Sequence, residues 1–161
     1  MRLAVVIFIM LNTGISVLFA GEIAFISDRE ENLDIYVMDE NGGNIRNITR
    51  GPSLDSDPSW SPDGRTIVFA SRPGIGAGPI IYTISVDGKI RRLVTDGSSQ
   101  APLLSPDGTK IAFFGHVDSP TYEQIYVMNA DGTGPSRLTN NSVHNRDPAW
   151  SPDGTKIAWV Y

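Results

Sequence analysis

A four-residue string, Ser-Pro-Asp-Gly, returns along this chain at residues 61–64, 105–108 and 151–154, at spacings of 44 and 46 residues. Such a period points to stacked copies of one supersecondary unit. An apolar run follows each copy: Ile67-Val68-Phe69, Ile111-Ala112-Phe113 and Ile157-Ala158-Trp159. An earlier run, Ile23-Ala24-Phe25, precedes the first of these by 44 residues. A second landmark reads Ile35-Tyr36-Val37-Met38, Ile81-Tyr82-Thr83-Ile84 and Ile125-Tyr126-Val127-Met128. An Asn-Gly or Asp-Gly turn follows each, and then comes Arg46-Asn47-Ile48-Thr49, Arg92-Leu93-Val94-Thr95 or Arg137-Leu138-Thr139. Four landmarks in one order at one period are not a chance arrangement.

The runs are short, rich in Ile, Val, Phe, Tyr and Thr, and bounded by Asp-Gly, Asn-Gly or Pro-Asp-Gly, which is the punctuation of hairpin-linked strands. Outside the first 20 residues no segment sustains a helical apolar period. The second unit therefore predicts strand a over 57–61, b over 66–71, c over 80–85 and d over 89–95. About 44 residues in four antiparallel strands make one propeller blade. The expected fold is all-β: a partial β-propeller of about three four-stranded antiparallel blades, as an incomplete or open ring. Its units run over 22–50, 51–96 and 97–140, with a partial unit over 141–161, and the first begins at strand b. A two-sheet sandwich is the competing architecture, but it would not need landmarks at a fixed period.

Asp57-Pro58-Ser59-Trp60-Ser61-Pro62-Asp63-Gly64 and Asp147-Pro148-Ala149-Trp150-Ser151-Pro152-Asp153-Gly154 resemble the TolB-type propeller repeat, a relative of WD-type blades found in exported bacterial proteins. Residues 23–38, with Ser27-Asp28-Arg29 and Asp34-Ile35-Tyr36, resemble its second half. The likeness covers about residues 22–161. The middle unit departs from it, since Ala101-Pro102-Leu103-Leu104 stands where the others have Asp-Pro-x-Trp. The resemblance implies a propeller scaffold that serves as a periplasmic interaction platform.

Arg2 is the one charge before Glu22, and residues 3–11 are unbroken apolar. That layout predicts a secretory leader over residues 1–20 and an exported, periplasmic protein. Asn12, Thr13, Gly14 and Ser16 interrupt the run, which weighs against a spanning helix. An uncleaved anchor over 3–20 and a buried first strand are the alternatives. Cysteine is absent, which removes disulfides, thiolate metal sites and cysteine nucleophiles. The net charge of −5 argues against nucleic acid, whose phosphates need a basic footprint.

Most repeated residues read as scaffold. Pro62, Asp63 and Gly64, with Pro106, Asp107, Gly108 and Pro152, Asp153, Gly154, suit tight a–b turns: Pro presets φ, Asp bonds the turn backbone and Gly takes positive φ. Trp60 and Trp150 are expected to pack between sheets. Strands alternate in direction, so the uniform a–b and c–d turns share one face. The b–c and d–a loops share the other, and they vary in length and chemistry, as binding loops on a repeated scaffold do.

The candidate partner-binding residues all fall on that second face: Asp28, Arg29, Glu30, Asp57, Arg72, His116, Asp118, Tyr122, Glu123, His144 and Asp147. Glu31 and Asp55 lie among them. His116 and His144 are the whole histidine content and, with Asp118 or Asp147, are the one combination resembling a His₂-carboxylate metal site. Asp28, Glu30, Glu31 and Asp34 match no EF-hand spacing, and Asp57 and Asp147 also read as caps at the mouth of strand a. No nucleophile-elbow, zinc-protease, Walker or dinucleotide string occurs.

The expected function is therefore a non-enzymatic exported module that binds a protein or peptide through its variable loops, without a cofactor. Two alternatives stand beside it. One is a metal-dependent or carbohydrate-active propeller enzyme using His116 and His144. The other is a structural segment of a larger propeller. Three blades do not close a ring, so a homodimer completing six blades, or an envelope partner, is a further expectation.

Overall fold

The computed structural model describes residues 15–19, 21–85, 88–93, 98–118 and 121–161. Strands β1 (Ile15–Phe19), β2 (Glu22–Ser27), β3 (Asp34–Asp39) and β4 (Arg46–Asn47) form the first antiparallel sheet, in that order. Strands β5 (Leu54–Trp60), β6 (Thr66–Arg72), β7 (Ile80–Ser85) and β8 (Ile90–Arg92) form the second. The third holds β9 (Ser99–Leu104), β10 (Lys110–Gly115), β11 (Gln124–Asn129) and β12 (Ser136–Arg137). Strands β13 (Arg146–Trp150) and β14 (Ile157–Val160) pair alone. The described part is thus a partial propeller of three blades and a strand pair, with no closed ring.

Two expectations shift. The leader reading falls outside the described residues except for 15–19, and there β1 pairs with β2 at Ile15↔Phe25 and Ser16↔Ala24. The first unit therefore has a strand at its a position, where the repeat pattern placed none. An apolar run without a polar partner at every second residue reads equally as leader or buried strand. The fourth strands are also shorter than expected: β8 has three residues, and β4 and β12 have two each.

The b strands show why each blade reads as it does. Along β6, Ile67 and Phe69 face the first sheet, packing with Ala24, Ile35, Val37, Trp60 and Ile84. Val68 faces the other way, into a cluster with Ile81, Leu93, Ile111, Phe113, Tyr126 and Met128. Alternate residues point to opposite faces. A strand buried on both faces must therefore be continuously apolar, as β6 is over residues 67–70 and β10 over residues 111–114. Registers repeat with the sequence: Phe25↔Tyr36, Phe69↔Tyr82 and Phe113↔Tyr126 stand opposite one another. Each pair stacks, with ring centroids 5.7, 5.8 and 5.4 Å apart.

The Ser-Pro-Asp-Gly strings close the a–b turns as expected, and the atoms explain their composition. Ser61 Oγ donates to Asp63 Oδ1 at 2.6 Å, Arg65 N–H donates to the same oxygen, and Thr66 N–H donates back to Ser61 Oγ. Ser105 with Asp107 and Ser151 with Asp153 repeat this geometry. The serine hydroxyl, then the backbone N–H, hold the carboxyls of Asp63, Asp107 and Asp153 below the usual aspartate range. Gly64, Gly108 and Gly154 take φ of 65°, 71° and 69°. Successive turns also nest: a Cβ on Gly108 would lie 3.7 Å from Pro62 Cδ, and one on Gly154 3.5 Å from Pro106 Cδ.

Strand a carries a device that the sequence reading assigned to a loop. Asp57, Ala101 and Asp147, each followed by Pro, have φ of 53°, 45° and 51°, inside β5, β9 and β13. A register shift accompanies each. Asp57 and Asp147 therefore sit at strand bulges rather than capping the loop ahead, and Asp accepts the left-handed region better than most residues. Asp57 Oδ2 also accepts Ser56 Oγ at 3.0 Å and Ala101 N–H of the next blade at 3.4 Å. Ala101 bears the left-handed backbone with no side-chain oxygen of its own. Replacing Ala101 with Gly is expected to stabilise the fold by about 1 kcal/mol, read as a higher denaturation midpoint. An unchanged midpoint would mean that the bulge carries no strain.

Candidate functional site

The b–c and d–a loops lie on one face, and their side chains divide into groups. After β2, Arg29 is held locally. Its guanidinium lies 4.7 Å from the Tyr36 ring centre and 5.3 Å from that of Phe25, and its Nε donates to Ser27 Oγ at 3.0 Å. Phe25 lies on the face of the first sheet that no described sheet covers, so Arg29 acts as its lid. Glu30 accepts from Asn47 Nδ2 at 3.2 Å, and Asn47 also donates to Tyr36 Oη. Burial, then the Glu30 and Asp34 charges, pushes the Tyr36 hydroxyl up. Asp28 only closes a turn, through its carbonyl to Glu31 N–H. Arg72 is exposed at the end of β6.

The densest assembly joins the b–c loop before β11 to the d–a loop before β13. Glu123 is 9% exposed, and its Oε2 is shared by His144 Nδ1 at 3.1 Å and by Arg146 Nε in a very close contact. The Glu123 N–H also faces His144 Nδ1, at 3.3 Å, and Tyr122 meets the His144 ring edge-on, 5.6 Å between centroids. A nearly buried carboxylate thus fixes an imidazole and a guanidinium whose side chains stay about half exposed, at 47% for His144 and 51% for Arg146. Fixed, partly desolvated donors of this kind suit recognition, because little side-chain entropy remains to be lost on binding.

A second group stands nearby in sequence. Tyr126 Oη donates to Asp118 Oδ1 at 2.5 Å, and Arg137 pairs with the same oxygen at 3.4 Å. Burial first, then the hydrogen bond to Asp118, pushes the Tyr126 hydroxyl up. Arg137 also donates to Asn140 Oδ1.

The sequence reading placed Tyr122, Glu123 and His144 together on this face, and they do meet. It missed Arg146, which opens β13, although Arg146 stands one residue before the repeated Asp-Pro. The His₂-carboxylate idea is not assembled: His144 engages Glu123 and Tyr122, whereas Asp118 engages Tyr126 and Arg137. Among the described residues no three His, Asp or Glu side chains converge on a metal-sized gap. His116 gives its backbone N–H to Ser98 O at 2.9 Å. A separate cleft of about 450 Å³ lies between the third sheet and the β13–β14 pair, lined by Val127, Leu138, Trp150, Ile157 and Trp159.

Comparison with known proteins agrees with this architecture. The model of the TolB beta propeller domain family matches residues 20–115. A TolB homolog of Chlorobium chlorochromatii is 35% identical over 151 residues, covering 92% of this chain and 33% of its own. A Tol-Pal system protein TolB of Anaeromyxobacter dehalogenans is 37% identical over 137 residues, covering 83% of this chain and 30% of its own. The chain thus spans about a third of the length of the curated relatives it matches. The crystal structure of TolB from Acinetobacter baumannii superposes with a TM-score of 0.75 at 30% identity, over 88% of this chain and 35% of that one.

Proposed function

Because the chain belongs to the TolB beta propeller domain family, we propose that it is an exported, non-enzymatic binding module that takes a protein or peptide partner on its b–c and d–a loops. One observation carries this reading: Tyr122, Glu123, His144 and Arg146 come from two separate loops and are locked into one cluster, with the His144 and Arg146 side chains about half exposed. The scaffold beneath them is uniform and the loops are not, which is the division of labour in repeat-built binders. A relative named for the Tol-Pal system supports a protein partner, and the basic start and apolar run over residues 3–11 support an exported, periplasmic setting. In that reading Asp28, Arg29, Glu30, Asp57, Arg72, His116, Asp118 and Asp147 form the outer parts of the surface, and the units over 22–50, 51–96 and 97–140 present it.

Selection of a displayed peptide library on the purified chain tests the proposal. Selected peptides are expected to lose at least about tenfold in affinity, roughly 1.4 kcal/mol, on Glu123→Ala and on His144→Ala. Binders indifferent to both substitutions would remove this cluster from the recognition surface.

A further inference from the structure

The chain passes from one blade to the next through equivalent joints. At each, the N–H of a buried polar residue donates at 2.8 Å to a carbonyl near the start of the preceding strand c: Asp55 to Leu33, Ser99 to Pro79, Asn145 to Glu123. The residue that opens strand c is Asp34 in the first sheet and Gln124 in the third.

At the later joint the side chains are amides and they satisfy one another. Gln124 Nε2 donates to Val143 O at 3.1 Å, and Asn145 Nδ2 to Asn141 Oδ1 at 2.6 Å. Thr139 Oγ1 donates to Gln124 Oε1 at 2.8 Å. At the first joint two carboxylates take these places, and both are buried: Asp34 is 3% and Asp55 4% exposed. Asn32 now serves the loop carbonyls, donating to Gly51 O and Ser53 O at 2.7 and 2.6 Å. Asp34 accepts from Asn32 and Asn47, at 3.2 and 2.8 Å. Asp55 takes the hydroxyls of Ser71 and Thr49, yet its Oδ1 is buried without a partner.

The charges around the pair are of the wrong sign to compensate it. Asp34 and Asp55 face each other electrostatically, and Asn47, which bonds Asp34, also bonds Glu30. Arg29 lies over the Tyr36 ring, and Arg50 and Arg72, the chain neighbours of Thr49 and Ser71, are exposed. Among the described residues no Lys, Arg or His forms an ion pair with either carboxylate. Two neighbouring buried carboxylates without a cation do not both ionise.

We propose that the Asp34–Asp55 pair carries one negative charge rather than two, with the proton on Asp55, so that the joint between the first and second sheets is a clasp that loosens as pH rises. The hydrogen bonds assign the charge: amide donors, which cannot accept, reach both oxygens of Asp34, whereas Asp55 meets two hydroxyls that can turn to accept its proton and has no donor at Oδ1. Burial pushes the Asp55 carboxyl up, against the Ser71 and Thr49 hydroxyls that hold it down, and the Asp34 charge adds to the rise. A carboxyl raised in the folded state adds stability that is complete below its unfolded value and is lost as pH climbs through the folded one.

Thermal unfolding of the full chain between pH 5 and pH 9 tests the clasp, with Asp55→Asn placing here the amide found at Asn145. The wild-type midpoint is expected to fall with rising pH relative to the variant, the gap changing by about 3 °C or more. A gap that stays constant with pH overturns the proposal. So does a wild-type midpoint raised by Ca²⁺ and unchanged in the variant, since a cation would then be the compensating charge. Should Asp55→Asn not fold, NMR titration of the Asp55 carboxyl in the wild type decides. A midpoint above that of an ordinary aspartate supports the clasp, and an ordinary midpoint near about pH 4 overturns it.

Discussion

Replacing Phe113 with alanine is expected to cost the fold about 3–5 kcal/mol, enough to threaten a domain of ordinary stability. Phe113 is wholly buried between the second and third sheets, stacked on Tyr126 and packed with Val68, Ile81 and Leu93. Its loss opens a cavity in a layer where rigid strands on both sides limit collapse. The repeat supplies an internal control. Phe69 holds the same register position between the first and second sheets, and Phe69→Ala should cost a similar amount. Phe25 also holds it, but on the outer face of the first sheet under Arg29, so Phe25→Ala should cost markedly less. Urea denaturation of the three variants would show that order as midpoint shifts at near-constant slope. Equal losses at all three positions would mean that the neighbouring sheet does not supply the energy of the buried ring.

The same comparison shows what a repeat can and cannot disclose. Period and turn chemistry were legible, because Ser-Pro-Asp-Gly performs the same hydrogen bonding wherever it occurs. Burial was legible only in the middle units. Trp159 is 42% exposed, although its repeat partners Phe69 and Phe113 are buried, since exposure depends on which strands lie alongside. The a-strand bulge was written as Asp-Pro, yet its left-handed backbone was not read from those letters, because Asp before Pro also suits a loop. The proposed binding face was chosen from loop variability, and that placed Tyr122, Glu123 and His144 together. Arg146 was missed because its partner Glu123 stands 23 residues earlier. Only the joint between two units brings them together, and the two ends of a joint share no local pattern.

Introducing a single methyl group at Gly115 is expected to destabilise the protein by about 3 kcal/mol, by overpacking rather than by loss of a contact. Gly115 ends β10, and a Cβ there would stand 1.9 Å from Ser98 O and 3.0 Å from Ser99 Cα. Both obstacles are backbone, so no rotamer change relieves them. The same Ser98 carbonyl receives His116 N–H at 2.9 Å, and Ser99 N–H is tied to Pro79 O, which leaves the crossover little room to retreat. The repeat alone would not reserve this position for glycine. Ser27 and Ser71 stand at the matching ends of β2 and β6 and carry their side chains without difficulty. Gly115→Ser, which restores the residue of the other units, should therefore be at least as harmful as Gly115→Ala. Gly78→Ala should be milder, since its new Cβ would meet Ser98 Cβ at 3.0 Å. Chemical denaturation of the three variants distinguishes the accounts. A loss below about 1 kcal/mol for both Gly115 variants would mean that the Ser98 crossover slides aside, and that the tight approach of β9 to β10 is not fixed.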